Sequence, residues 1–199
     1  MEINKIPLLK TTNPSFIDAW TPKEDKFIDD TIEVFNNNSL SHQEIRSTQR
    51  KSNKEKKNKK QVNGFVANFD LNNNKMDKSD YNTFSLYTNF LDSCFKSYAS
   101  RWEFTDYNLI GLSPSTIQIV NLMNIDSDNL AFNYMKSEGK FMQTSFSFLT
   151  FLTDSSNLGK VEFYYQGVTI KSMKGLTLIW PSDWTHSNRI LGAKDNSDF

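Results

Sequence analysis

The most regular hydrophobic pattern in the chain runs from Ser79 to Trp102. Phe84, Tyr87, Leu91, Phe95, Tyr98 and Trp102 recur at steps of three and four, which puts them on one face of an α-helix. A stripe this broad is the face that a helix packs on a sheet rather than a cofactor box, and Ser79 or Asp80 is placed to cap its start. Two weaker helical patterns precede it. Phe27, Ile28, Ile32 and Phe35 predict a helix from Lys23 to Phe35, stopped by Asn36-Asn37-Asn38. Ser41, with Glu44 three residues on, fits a capping box that opens a short helical turn over 41–46.

After Asp106 the helical period disappears. Residues 115–123, 130–135, 144–153 and 160–165 are short segments rich in Ile, Val, Phe and Tyr, and in 145–151 Phe146 and Phe148 alternate with Ser145, Ser147 and Leu149. A tight turn at Gly167 and another at Lys174-Gly175 lead into the apolar run Leu176 to Trp180, which predicts a strand buried on both faces. Pro181 ends that strand because it has no N–H for a ladder. His186 lies just past the strand end, where a rigid sheet presents side chains. Short strands between Gly, Asn and Asp turns indicate an antiparallel sandwich or barrel. The expected organisation is therefore α+β, mainly β. It has a helical N-terminal region over 1–49, a basic linker or mobile loop over 50–64 and a β-rich domain over 65–199.

Composition narrows this without redirecting it. The 199 residues carry 23 basic and 23 acidic groups, so no global field draws the chain to nucleic acid or anionic lipid. Only 37% of residues are hydrophobic, yet 16 Phe allow a compact core if they cluster. Arg50 to Lys60 (RKSNKEKKNKK) lacks the apolar surface to order itself, and without interleaved aromatics a solvated linker accounts for it better than a phosphate-binding patch. Asp70 to Tyr81 imitates a calcium loop through Asp70, Asn72 and Asn74. Lys75 replaces the required glycine and Tyr81 the bidentate Glu, so an ordinary loop is expected. The single cysteine, Cys94, excludes an intrachain disulfide and fits a reducing cytoplasmic setting. No apolar run approaches the roughly 20 residues that span a bilayer, so no membrane partner is expected. Heavy use of Asn, Lys, Phe and Ser fits an AT-rich genome, such as that of a virus, phage or streamlined microbe.

The most specific text is Lys160 to Arg189, KVEFYYQGVTIKSMKGLTLIWPSDWTHSNR. Gly159, Phe163, Ile170, Gly175, Trp180-Pro181 and Trp184-Thr185-His186 fall at spacings that resemble the 2-oxoglutarate/iron(II) dioxygenases, in particular the prolyl-hydroxylase-like members of phage and bacterial genomes. Phe148 to Asp154 is similar to the family's L-x-x-Y-L-N-D strand, and Tyr134 to Gly139 and the long helix also have counterparts. The resemblance implies a double-stranded β-helix, the jelly-roll or cupin-like barrel, packed by one long amphipathic helix. It also implies Fe(II) held by two His and one carboxylate, with 2-oxoglutarate as cosubstrate.

The chemistry departs from that pattern. Residues 140–146, where the family places a His-x-Asp/Glu pair, read Lys-Phe-Met-Gln-Thr-Ser-Phe, so Gln143 and Ser145 stand in the ligand positions. The chain has two histidines, His42 and His186, and His42 reads as a surface residue. His186 is the one candidate metal ligand, against a structural His packed beside Trp184. Thirteen residues follow His186, and among them Arg189 and Lys194 are the candidate anchors for the 2-oxoglutarate carboxylate. Ser182, Asp183 and His186 contain the residue types of a hydrolase triad, but no nucleophile turn marks them. Cys94 reads as core, and Glu138 and Asp154 as turn residues.

The expectation is thus a non-catalytic oxygenase-fold protein, without a cofactor, serving as a structural or binding module. Its expected partners are proteins, either copies of itself or a ring of a virion as a neck- or tail-type component, and nucleic acid is not expected. The alternative is an active dioxygenase with an unconventional site, using Fe(II) on His186 with Glu138 or Asp154 and 2-oxoglutarate on Arg189 or Lys194.

Overall fold

The computed structural model describes residues 1–8, 15–48, 60–72, 76–102, 116–122, 146–154 and 159–191. Among them the chain is α+β and mainly β, with two α-helices and three antiparallel sheets, none of them closed. The strands are β1 (Ile3–Ile6), β2 (Asp18–Pro22), β3 (Gln43–Thr48), β4 (Lys60–Asp70), β5 (Thr116–Leu122), β6 (Phe146–Thr150), β7 (Lys160–Phe163), β8 (Val168–Lys171), β9 (Thr177–Pro181) and β10 (Asn188–Leu191). They form a four-stranded sheet in the order β1-β2-β9-β6, a second sheet β10-β7-β8 and a third β3-β4-β5. No helix among the described residues is long and apolar enough to cross a membrane.

The helix α2 (Lys78–Arg101) follows the predicted stripe. Phe84, Tyr87, Leu91, Phe95 and Tyr98 are buried, joined by Phe90 on the flank of the same face. Its cap is Asp77 rather than Ser79 or Asp80, and the Asp77 carboxylate accepts the Ser79 N–H at 2.7 Å. Helix α1 (Lys26–Asn37) buries Phe27, Ile28, Thr31, Val34 and Phe35. These faces meet Ala67 and Phe69 of β4, Ile117 and Ile119 of β5, and Trp20 and Ile179 of the four-stranded sheet in one aromatic-rich core. Buried polar groups there find partners. The Trp20 indole donates to Ser97, and Tyr87 donates to Thr150, whose hydroxyl meets that of Thr177 at 2.7 Å.

The opposite face of the four-stranded sheet packs on the second sheet. Ala19, Leu178 and Trp180 meet Val161, Phe163, Val168 and Ile170 in a separate core. β9 therefore alternates, Leu178 and Trp180 facing one core and Ile179 the other, as its unbroken apolar run requires. Gly175, which leads into it, has φ +75°, and a Cβ there would lie 2.9 Å from the Pro22 ring.

Three expectations are corrected. The short helix over 41–46 is instead a 3-10 turn at Ser39–Ser41 followed by β3, because pairing with β4 outweighs a local capping pattern. β4 begins at Lys60, so the end of the 50–64 stretch is strand rather than linker; residues 50–59 lie outside the described set. The 1–49 region is not purely helical, for it supplies β1, β2 and β3, and β2 pairs directly with β9. The segment 130–135 lies outside the described residues, as does the centre of the calcium-like loop, whose Asp70 accepts the Asn72 N–H at 2.9 Å.

Candidate functional site

The site indicated by the sequence lies where the chain leaves β9. Pro181 releases the ladder, and Asp183 caps the 3-10 turn Trp184–His186 by accepting the Thr185 N–H at 2.9 Å. The turn then feeds β10, which pairs with β7. This geometry folds His186 inward, leaving it only 4% exposed. Its Nδ1 faces Asp183 Oδ1 and Thr185 Oγ1, each at 3.0 Å, and its Nε2 lies 3.0 Å from the backbone carbonyl of Ser15. A carbonyl oxygen only accepts, so Nε2 carries a hydrogen and donates.

The segment holding Ser15 is itself fixed. Phe16 has φ +52°, an uncommon left-handed value for a bulky residue. Its carbonyl accepts the Tyr98 hydroxyl at 2.9 Å, and its ring lies 4.7 Å from that of Trp102. His186 and Tyr98 thus hold successive carbonyls of a strained turn, one from the β9–β10 connection and one from α2. Burial raises the pKa of the Asp183 carboxyl, but the bonds from Thr185 and His186 outweigh this and bring it below the ordinary range.

The remaining predicted residues separate. Arg189 lies on β10 directly across from Glu162 of β7, and its Nε donates to Glu162 Oε2 at 2.7 Å. Burial works against ionisation of Glu162, yet Arg189 and Lys160 bring its pKa down. Ser182 turns its hydroxyl to Ser147, while Asp183 and His186 pair without it. Asp154 accepts the backbone N–H of Lys174 at 2.7 Å, closing the turn before β9. Cys94 is buried, and burial pushes its thiol up to about 12. His42 is half-buried rather than a surface residue: it stacks on Phe35 with ring centroids 4.0 Å apart and bonds the Phe35 carbonyl at the end of α1. Glu138, Gln143, Ser145 and Lys194 lie outside the described residues. Among the described residues no three His, Cys, Asp or Glu are gathered as a metal ion would need.

Two features were not predicted. Asp18, only 3% exposed, receives Arg101 of α2 and lies 3.5 Å from Lys5 Nζ, tying β1, β2 and α2 together. On the surface beside His186, Tyr164, Tyr165 and Trp184 form an exposed aromatic cluster. No family model, no curated protein and no solved structure matches this chain.

Proposed function

We propose that this chain is a non-catalytic, oxygenase-like binding module on a double-stranded β-helix, in which His186 is a structural peg and the neighbouring turns face a protein partner. The observation that carries this is the engagement of both His186 ring nitrogens. As placed, neither offers a lone pair to Fe(II): Nε2 donates to Ser15, and Nδ1 is taken up by Asp183 and Thr185. Arg189, the candidate cosubstrate anchor among the described residues, is bonded to Glu162. These residues do not fit an iron site.

The β-helix part of the proposal is supported by how the strands wind. β6 lies in the four-stranded sheet, β7 and β8 in the second, β9 returns beside β6, and β10 returns beside β7. Alternation between two facing sheets is the path of a double-stranded β-helix. The fold alone does not carry the activity found on it.

The test is an assay for 2-oxoglutarate turnover. Protein loaded anaerobically with Fe(II), then given 2-oxoglutarate and oxygen, is expected to form no succinate above a protein-free control. Succinate that appears with the wild type and vanishes with His186→Ala would overturn the proposal.

A further inference from the structure

The aromatic cluster beside His186 is unusual in being both rigid and open. Tyr164 and Tyr165 sit on the hairpin turn between β7 and β8, and Trp184 on the 3-10 turn between β9 and β10. The two turns are stapled to each other. Tyr164 donates its backbone N–H to the Ser187 carbonyl at 3.0 Å, and the Gln166 amide donates to the Thr185 carbonyl at 3.0 Å. His186 and Asp183 lock the second turn from beneath. Even so, Tyr164, Tyr165 and Trp184 remain 63%, 59% and 62% exposed. Neighbouring aromatics that stay this exposed on a fixed frame mark an interaction surface rather than an incompletely buried core.

The ring arrangement and local charge choose among ligands. Tyr165 is the central ring, with Tyr164 at 5.1 Å and Trp184 at 5.8 Å, at interplanar angles of 90° and 88°. Successive rings at right angles offer no common plane on which a sugar chain or a run of bases could lie. Rings set edge to face turn exposed faces in more than one direction, and an aromatic face attracts a cation held within roughly 6 Å of its centroid. The charged neighbour fits the same ligand. Asp183 precedes Trp184, keeps half its side chain in solvent and stays ionised because its pKa is lowered. Lys160 and Lys171 pair at the end of the hairpin opposite its turn, and Arg189 is bonded to Glu162, so the cations of β7, β8 and β10 do not favour a phosphate chain here. A proline-rich segment would use the rings but bring nothing to Asp183.

We propose that Tyr164, Tyr165 and Trp184, with Asp183 beside them, form a docking site for a basic side chain, lysine or arginine, of a protein partner. This rests on the binding-module function proposed above and names the chemistry of its partner. The stapled turns keep the rings in place before binding, so little ordering is needed when the partner arrives.

The test uses the full chain at low salt, with a glycine–lysine repeat peptide and its lysine-acetylated counterpart as probes. The lysine peptide is expected to bind saturably, and acetylation to abolish binding. Trp184→Ala should weaken it by on the order of ten-fold, with Trp184→Phe recovering part of the loss. Tyr165→Ala provides a second variant, and unchanged circular dichroism shows each to be folded. The proposal is overturned by an absence of saturable binding, by equal binding of the acetylated peptide, by affinity that survives both alanine variants, or by tighter binding of polyproline or a neutral oligosaccharide. Succinate formation bears on the non-catalytic proposal, whereas these binding results bear on the site, so the two can fail separately.

Discussion

The core around α2 and the imidazole of His186 are both buried but differently held. In the first, Phe84, Phe90, Phe95 and Tyr98 share a cluster with Phe27, Phe69 and Phe146, with ring contacts such as Phe27–Phe90, Phe69–Phe84, Phe95–Phe146 and Tyr98–Phe146. The attraction is non-directional and spread over many contacts. In the second, one imidazole joins residues far apart in the chain through two directed hydrogen bonds. Damage to the first is a matter of lost volume, and damage to the second a matter of lost partners.

The contrast ranks the expected effects. Phe90→Ala removes a fully buried ring and should cost about 3–5 kcal/mol, read by chemical denaturation. His186→Ala should cost about 1–3 kcal/mol, because the Ser15 carbonyl and Asp183 lose a partner. If His186→Phe were as stable as wild type, the hydrogen bonds would not be what holds this turn, and the contrast would collapse.

Acid sharpens the same comparison. Asp183 and Glu162 have folded pKa values below their ordinary 3.8 and 4.5. Their contribution is therefore complete above those ordinary values and is lost as pH falls through the lowered ones. The melting temperature should hold from neutrality down to about pH 5 and then decline, and the gap between wild type and Asp183→Asn should narrow over the same range. Arg189→Ala breaks a pair that is partly open to solvent and should cost only about 0.2–1 kcal/mol. Cys94 should be the quietest position: with its thiol pushed up to about 12 and buried, it should react with a thiol reagent at pH 8 only after unfolding.

The same division governs what the sequence revealed. The stripe of α2 and the strands β5 to β9 follow from period and from Gly and Pro punctuation, which are local properties. β3 was misread because a capping pattern is also local, whereas the strand exists through its pairing with β4. His186 was legible as a residue presented past a strand end, and Asp183 three positions before it was a readable partner within one turn. Nothing near His186 in the sequence points to the Ser15 carbonyl, because that contact spans 171 positions. Asp18 and Arg101 escaped for the same reason, being 83 positions apart. The aromatic cluster was half visible as Tyr164-Tyr165, and only the stapling of two turns brings Trp184 to it.

The central claim, that His186 holds the fold together and does not hold a metal, is tested most directly by thermal unfolding with and without Fe(II) plus 2-oxoglutarate. A ligand that binds the folded state raises its melting temperature by mass action. The account predicts that His186→Ala lowers the melting temperature and that the metal and cosubstrate leave wild type and variant unmoved. A rise with Fe(II) and 2-oxoglutarate in the wild type, absent from His186→Ala, would contradict it.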